Sequence, residues 1–468
     1  MLPSIPDRQQ EQTKGRIMER ETFKSRLGFI LISAGCAIGI GNVWRFPYVV
    51  GNNGGGIFVL IYIFFLIVLG IPIMSMEFSV GRASRKSVVK AYTSLEKPGS
   101  KWHFMGYASM IGNYLLMMYY TTVAGWMLYY CYATAIGKLS NLNSTDIAKH
   151  FSDLTGNPVT MILFTFIVII IGFLICSLGL QNGVEKITKP MMLALLAIMV
   201  ILAINSITID GGAEGLKFYL YPNLEKIQSK GWFKVIVAAM NQSFFTLSLG
   251  IGSMLIFGSY QSDKTSILKE SSTIAALDTF VAITAGLIIF PACFAFGVNP
   301  DSGESLVFIT LPNIFNSMSL GRLWGSLFFL FMTFAAFSTV IAVFENICSI
   351  TMDIWNISRK KASVINIFVL FVTSLPCIFG YNILSNVKPF GQPHFLAFED
   401  YLVSNILLPI GSLVLVLFCT CKGGWGIDNY FKEANKGDGI KMPRWLTPYL
   451  KFVIPVIILI VFLSGILG

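Results

Sequence analysis

The chain has 468 residues, of which 54% are hydrophobic and only 12% are charged, and its formal net charge is +10. A soluble globular protein carries about 25% charged residues, so this composition excludes that class and indicates a polytopic membrane protein. The positive charge does not indicate nucleic-acid binding, because most of the 34 Lys and Arg residues lie in short segments on one side of the predicted membrane. We expect the protein to be embedded in the lipid bilayer, which would be the partner of its apolar surface.

Eleven apolar runs are long enough to cross a bilayer, for which a helix needs about 20 residues. We therefore predict an all-α polytopic membrane protein with about 11 transmembrane helices and no soluble domain. In chain order the predicted spans are 27–50, 56–80, 104–136, 159–180, 188–208, 233–258, 273–298, 322–355, 362–382, 395–420 and 446–467.

The basic residues predict the orientation of these spans. Arg16, Arg20, Lys24 and Arg26 precede span 1, and further basic residues follow spans 2 and 8. Because cytoplasmic segments carry an excess of Lys and Arg, we expect the N-terminus to be cytoplasmic. An odd number of spans then makes the C-terminus extracellular. The expected location is the plasma (inner) membrane, as a multi-pass protein.

Two hydrophobic segments are interrupted near their middle by Gly-Ile-Gly. Residues 37–42 in span 1 read AIGIGN, and residues 248–253 in span 6 read SLGIGS. Their separation by five spans gives them opposite orientations, and paired Gly-interrupted spans indicate an inverted repeat with a binding site between the halves. Small residues also serve close helix packing, which remains an alternative for either segment alone. A broken helix frees amides and carbonyls that can bind a substrate or ions.

This pattern divides the chain into a membrane domain with short tails. We expect a cytoplasmic tail over 1–26, a first repeat over 27–208 and an extracellular loop over 209–232. A second repeat follows over 233–420, and a cytoplasmic loop with span 11 occupies 421–468.

Ionisable residues inside spans are costly and usually functional. Glu77, Asp278 and Glu345 lie within predicted spans, and Arg45 lies near the outer end of span 1. For Glu77 we favour a structural role, in which its carboxylate accepts hydrogen bonds from the amides of a broken helix. Asp278 lies close to the middle of span 7, where it would either be protonated or bind a cation. No nucleophile with a matching base is apparent, so neither an enzyme nor any catalytic residue is predicted.

Together these residues resemble the neurotransmitter:sodium symporter family, in particular its bacterial amino-acid transporter branch. The resemblance implies a five-plus-five inverted repeat with broken helices 1 and 6, and a symporter that works by alternating access. It implies two sodium ions, no organic cofactor, an L-amino acid substrate and no obligate protein partner. The matching motifs are GIGNVWRFPY at 39–48, NGGG at 53–56, residues 72–82, Tyr119-Tyr120, QSFFTLSLG at 242–250 and Ser338-Thr339.

The resemblance assigns residues to two sodium sites, all of them offering the oxygen ligands that suit a hard cation. The first sodium site would consist of Ala37, Asn42, Thr246 and Asp278. The second sodium site would consist of Gly35, Ile38, Ala335, Ser338 and Thr339.

The resemblance also implies a substrate site and two gates. An outer gate would pair Arg45 with Asp400, and an inner gate would pair Arg20 with Asp353 near Tyr260. Phe23 replaces the tryptophan that is usual in the family, which leaves tight closure of the inner gate less certain. The substrate contacts would be Cys36, Ala37, Gly39, Ile40, Gly41, Leu116, Tyr120, Phe245, Thr246, Ser248, Ile251, Thr339 and Val343.

Three positions refine the expected function. Amine-transporting relatives have an aspartate where this chain has Gly39, so we expect a substrate that brings its own carboxylate, namely a hydrophobic or aromatic L-amino acid. Chloride-dependent relatives have an asparagine and a serine where this chain has Asp278 and Ala282, so we expect chloride-independent transport. The alternative is a transport-inactive amino-acid sensor or scaffold with the same fold. Against it, every implied sodium position holds a competent ligand.

Overall fold

The computed structural model describes residues 21–222, 224–297 and 305–467. Within these ranges the chain is built from helices and contains no β-strand, only two isolated β-bridges. Eight of the described helices are long and apolar enough to cross a membrane, or nine if one bent pair counts as a single span. The two other predicted spans, 104–136 and 233–258, are helical as well, the second as two shorter pieces. The predicted all-α polytopic membrane architecture is confirmed.

The first five predicted spans and their connections form nine α-helices. Five-residue π-helical turns at Gly41–Arg45 and Leu66–Gly70 and a six-residue one at Leu180–Glu185 precede α2, α4 and α9 respectively. The helices are α1 (Arg26–Ala37), α2 (Phe46–Asn52), α3 (Gly56–Phe65), α4 (Ile71–Ser84), α5 (Val88–Leu95), α6 (His103–Ala135), α7 (Ser144–Gly156), α8 (Pro158–Ser177) and α9 (Lys186–Ile207).

The rest of the chain forms twelve further α-helices. Short π-helical or 3₁₀ turns lie at Leu306–Thr310, Pro389–Gly391, Leu402–Leu407, Arg444–Leu446 and Tyr449–Val453. The helices are α10 (Ala213–Leu220), α11 (Leu224–Lys230), α12 (Trp232–Thr246), α13 (Ser253–Ser259), α14 (Ile267–Ala295), α15 (Leu311–Ser317), α16 (Gly321–Trp355), α17 (Arg359–Phe379), α18 (Phe395–Tyr401), α19 (Leu408–Thr420), α20 (Ile427–Ala434) and α21 (Ile454–Leu467).

Span 1 breaks between α1 and the π-helical turn that follows it, with a bend of 53°. Ile38, the C-cap of α1, has extended dihedral angles. Gly39 follows, and a Cβ atom there would lie only 2.2 Å from the hydroxyl of Tyr120 and 2.4 Å from Oγ1 of Thr339. Glycine is therefore favoured at the break, because the side chains of Tyr120 and Thr339 on the neighbouring spans approach its backbone closely.

Span 6 breaks between α12 and α13 through three residues with positive φ. Ser248, Gly250 and Gly252 have φ values of 51°, 97° and 73°. Left-handed backbone ends a right-handed helix, and two of the three positions are glycines, which adopt it readily. The predicted interruption of both Gly-Ile-Gly segments is therefore present, five spans apart.

Glu77 on α4 supports the broken span 6. Its carboxylate accepts hydrogen bonds from the backbone N–H groups of Gly250 at 2.7 Å, Met254 at 3.0 Å and Leu255 at 3.2 Å. The first amides of a helix have no partner within the helix, and a buried amide without one is costly. The predicted structural role of Glu77 is confirmed.

The long helix α16 is buried along most of its length and forms the centre of the molecule. It packs against α6 over the most extensive helix–helix contact, and also against α1, α8 and α9. Both broken segments consequently lie beside continuous helices, which hold the freed backbone groups in fixed positions.

Candidate functional site

The four residues predicted for the first sodium site lie next to the break in span 1. Asn42 donates from Nδ2 to Oδ1 of Asp278 at 2.8 Å, and Thr246 donates from Oγ1 to Oδ2 of Asp278 at 3.1 Å. Asn42, Thr246 and Asp278 are buried, and Ala37 lies at the end of α1 beside a small cavity. Tyr62 on α3, which we did not predict, completes this group by donating to Oδ2 of Asp278 at 3.4 Å.

The five residues predicted for the second sodium site also lie together, where α1 meets α16. Ser338 donates from Oγ to the carbonyls of Ile38 at 3.1 Å and Ala335 at 2.8 Å. Thr339 donates from Oγ1 to the carbonyls of Gly35 at 3.2 Å and Ile38 at 3.4 Å. Five oxygen atoms thus converge at the end of α1, and such hard ligands suit an alkali cation.

A small cavity of about 20 Å³ lies between the two oxygen clusters. Nine of its lining residues are among the predicted substrate contacts, and Val403 and Leu408 are two that we did not predict. The side chains and backbone around it are mostly apolar, apart from three hydroxyl groups. The lining consists of Cys36, Ala37, Gly39, Gly41, Leu116, Tyr120, Phe245, Ser248, Thr339, Val403 and Leu408.

Four predicted substrate contacts lie outside this small cavity. Ile40 faces an outer cavity, although its N–H donates to the hydroxyl of Tyr120 at 3.0 Å. Thr246 points to Asp278. Ile251 and Val343 are fully buried, and the carbonyl of Ile251 accepts a hydrogen bond from Asn113.

The two residues predicted for the outer gate lie together as an ion pair that Ser404 bridges. Arg45 Nη1 lies 3.8 Å from Oδ1 of Asp400, and Ser404 bridges them, accepting from Arg45 at 3.0 Å and donating to Asp400 at 2.8 Å. Tyr119 donates to the same carboxylate oxygen at 3.1 Å. The Arg45 guanidinium lies 4.0 Å above the ring of Phe245, a cation–π arrangement that connects the ion pair to the lining of the small cavity.

An outer cavity of about 480 Å³ lies beyond Phe245, on the side of Arg45. Gly41, Tyr120 and Phe245 line both this cavity and the small one, so these three residues lie between them. The outer cavity is lined by Ile40, Gly41, Trp44, Arg45, Tyr48, Val49, Tyr119, Tyr120, Val123, Phe245, Pro393, His394, Leu396, Ala397 and Asp400.

The opposite side of the molecule carries a hydrogen-bond network around Glu345 that we did not predict. Tyr260 donates to Oε1 of Glu345 at 2.6 Å, and Arg359 donates to Oε2 of Glu345 at 2.6 Å. Arg20 of the predicted inner gate lies outside the described residues, so its pairing with Asp353 stays a prediction, and Asp353 accepts from the N–H of Ser87 at 2.7 Å.

The first described residues join this network. Glu21 lies 3.3 Å from Arg359 and accepts from the N–H of Leu180. Phe23 packs edge-on against Phe29 and Tyr260, with ring centroids 5.5 Å and 5.9 Å apart. The ring of Phe23 is smaller than the tryptophan that is usual in the family, but it still packs against Tyr260.

Ser404 and Tyr62, which the sequence analysis missed, differ in whether the sequence contains a signal for them. Ser404 lies one helical turn after Asp400, so its position beside the gate follows from the spacing. Tyr62 lies in an uninterrupted apolar run between Ile61 and Ile63, where nothing distinguishes it from a packing residue.

The sequence matches the model of the sodium:neurotransmitter symporter family over residues 20–148 and 144–468. It is 34% identical over 444 residues to the uncharacterized sodium-dependent transporter YhdH of Bacillus subtilis strain 168, covering 94% of this chain and 97% of that protein. It is 33% identical over 458 residues to an uncharacterized sodium-dependent transporter of Haemophilus influenzae, covering 96% and 98%.

The structure resembles the crystal structure of MhsT in complex with L-phenylalanine. The TM-score is 0.86 at 34% sequence identity, covering 95% of this chain and 100% of that one. The fold, the two broken spans and the family match agree. The chain belongs to the sodium:neurotransmitter symporter family and is a multi-pass, sodium-coupled transporter rather than an enzyme.

Proposed function

We propose that this transporter imports a hydrophobic or aromatic L-amino acid together with two sodium ions, and that it does so without chloride. The observation that carries the proposal is a mostly apolar small cavity that lies beside two oxygen clusters, the helix-end amides that follow the break in span 1, and the Phe245 ring. Each of these groups matches one part of a zwitterionic apolar substrate or its coupling ions.

Two sodium ions are supported by the two separate groups of oxygen atoms. In the first, Asn42, Thr246 and Asp278 would supply side-chain oxygens, and the carbonyl of Ala37 at the end of α1 would be the fourth ligand. In the second, the hydroxyls of Ser338 and Thr339 already contact three carbonyl oxygens within 3.4 Å. A cation would replace these internal hydrogen bonds with direct oxygen ligation.

The carboxylate of the substrate is expected at the amides of Ile40 and Gly41, beside the hydroxyl of Tyr120. The positive end of a helix and its N–H groups favour an anion there. Gly39 has no carboxylate, so an amine without a carboxylate of its own would find no counter-charge from that position. The apolar side chains of Leu116, Phe245 and Leu408 suit a hydrophobic or aromatic side chain, and the relative MhsT was solved with L-phenylalanine.

Chloride independence is supported by the surroundings of Asp278. The carboxylate is fully buried and receives hydrogen bonds from Asn42, Thr246 and Tyr62. It provides a fixed negative charge that offsets a neighbouring cation. Ala282, one helical turn later, offers no hydroxyl to hold an anion.

We further propose that the protein lies in the plasma (inner) membrane with a cytoplasmic N-terminus and an extracellular C-terminus. The basic residues near the start of α1 and α17 support this orientation. The Arg45–Asp400 pair is then the extracellular gate, and the Glu345–Arg359 network lies on the cytoplasmic side.

Uptake of radiolabelled amino acids into proteoliposomes tests the proposal. We expect phenylalanine, tyrosine, tryptophan and leucine to accumulate only with an inward sodium gradient, and with gluconate in place of chloride. Preference for a monoamine or for glutamate would contradict the substrate class. Sodium-dependent binding without any uptake would favour the alternative, a sensor or scaffold with the same fold.

A further inference from the structure

Two asparagines lie beyond the small cavity, on the side away from Arg45. Asn113 precedes the cavity-lining Leu116 by three residues on α6, and Asn346 follows the cavity-lining Thr339 by seven residues on α16. Both spacings keep a residue on the same helix face, so both asparagines continue the face that lines the cavity. Both side chains are completely buried.

Hydrogen bonds fix the orientation of both side-chain amides. Asn113 donates from Nδ2 to the carbonyls of Ser109 at 2.7 Å and Ile251 at 2.8 Å, so its Oδ1 faces the other way. Asn346 donates from Nδ2 to that Oδ1 at 2.9 Å and to the carbonyl of Gly252 at 3.4 Å. Reversing either amide would place an oxygen against an oxygen or a nitrogen against a nitrogen. The Oδ1 atom of Asn346 is therefore an acceptor by position.

This Oδ1 atom of Asn346 has no hydrogen-bond partner among the described residues, although it is fully buried. The same is true of the hydroxyls of Ser109, one turn before Asn113, and Ser412, one turn after the cavity-lining Leu408. Buried polar groups nearly always have a partner, because leaving one unpaired costs the full desolvation of that group. A polar layer with unfilled hydrogen-bonding capacity thus lies directly beyond an apolar cavity.

We propose that this layer ends the side-chain pocket and that Asn346 selects substrates with a hydrogen-bond donor at the far end of an aromatic ring. The proposal rests on the amino-acid transport proposed above. With its carboxylate at Ile40 and Gly41, a substrate directs its side chain past Leu116 towards Asn113 and Asn346. The phenol of tyrosine and the indole N–H of tryptophan are such donors, whereas phenylalanine and leucine have none.

We expect Ile251 and Val343 to control whether a ring reaches the layer. The Ile251 carbonyl accepts a hydrogen bond from Asn113, and Val343 lies between Thr339 and Asn346 on α16. The small cavity holds only about 20 Å³ in this conformation, so it must widen when a substrate enters. In the proposed pocket, displacement of the Ile251 and Val343 side chains opens the path from Leu116 to the unpaired oxygen.

The test compares aromatic substrates in competition with sodium-driven leucine uptake by the wild-type protein. The series is phenylalanine, tyrosine, 4-aminophenylalanine and O-methyltyrosine, which differ in whether the para group donates a hydrogen bond. We expect tyrosine and 4-aminophenylalanine to inhibit at about tenfold lower concentration than phenylalanine, since a buried polar site discriminates against ligands that leave it unpaired. O-methyltyrosine should be no better than phenylalanine. Equal inhibition by tyrosine and phenylalanine would overturn the proposal, and this result needs no variant.

The variant Asn346→Leu removes the acceptor while keeping the size of the side chain. We expect the preference for tyrosine over phenylalanine to disappear while phenylalanine is still transported. Asn366→Leu is the matched control, because Asn366 is equally buried and donates to Thr351 and Ala362 on the scaffold. It should lower stability without changing the tyrosine-to-phenylalanine ratio.

A role of Asn346 in stability alone would leave the ratio unchanged in Asn346→Leu, which contradicts selection by this residue. Absence of sodium-driven uptake of every amino acid by the wild-type protein would instead contradict the proposed transport function. The two failures are therefore distinguishable.

Discussion

Asn42 donates a hydrogen bond from Nδ2 to Oδ1 of Asp278 over 2.8 Å, which joins the break in span 1 to the middle of α14. Asp278 also accepts from Thr246 at the end of α12, next to the break in span 6. One carboxylate therefore contacts the broken segments of both repeats. Its charge state bears on ion binding and on the relative positions of the two breaks.

Replacing Asp278 with asparagine should make transport depend on chloride. The substitution keeps the oxygen ligand but removes the negative charge that offsets the neighbouring sodium ion. We expect wild-type uptake to be unchanged when gluconate replaces chloride, and Asp278→Asn to lose uptake in gluconate. The double variant with Ala282→Ser should show uptake stimulated by chloride. Full activity of Asp278→Asn without chloride would show that another charge compensates the ion.

Thr339→Ala and Asn42→Ala should each weaken sodium dependence, because each removes an oxygen from a different cluster. We expect the sodium concentration for half-maximal uptake to rise about tenfold, the effect of losing about 1.4 kcal/mol. Thr333→Ala is a suitable control, since this buried threonine on the same helix donates only to the carbonyl of Phe329 in the described hydrogen bonds. A sodium Hill coefficient of one, unaltered in both variants, would contradict two sites.

Asp400→Ala should reduce transport more than membrane insertion. The change leaves Arg45 without its counter-charge above Phe245 and removes the acceptor for Ser404 and Tyr119. A half-buried cation without its partner is destabilised in the closed state. Asp428→Ala, which breaks the exposed pair with Arg444, should leave uptake unchanged. Normal initial rates in Asp400→Ala would rule out the gate assignment.

Arg359→Ala should destabilise the protein, because the carboxylate of Glu345 is completely buried and would lose its charged partner. Removing one member of a buried ion pair costs about 3–5 kcal/mol. Thermal unfolding in detergent should show a lower midpoint, and the double variant Arg359→Ala with Glu345→Gln should recover part of the loss. No recovery in the double variant would mean that charge is not the cause.

The sequence was sufficient to predict the positions of the helices and both breaks, because apolar length and Gly-Ile-Gly are local signals. Glu77 could be assigned to the broken helix because a lone carboxylate in a span needs donors. The sodium and gate residues came from resemblance, and the structure brings most of them together.

Other features depend on packing between distant spans and have no local signal. The hydrogen bonds of Glu345 to Arg359 and Tyr260 join α16 to the start of α17 and to the end of α13. The sequence contains no local signal that these residues contact one another. Ile251 was expected to line the pocket because of its place in the motif. The positive φ values on either side of it turn its carbonyl to Asn113 and leave its side chain buried.

The attachment of α13 to α4 has a consequence for how the cytoplasmic path opens. Glu77 holds the first amides of α13, and Gly81 and Gly258 bring the two helix backbones into direct contact, with no space for a Cβ atom at either position. We therefore expect the second half of span 6 to move together with span 2, although the two belong to different predicted repeats. The bodies that exchange position during transport would then be assembled across the repeats, and the boundary between them would run through each repeat instead of between the two.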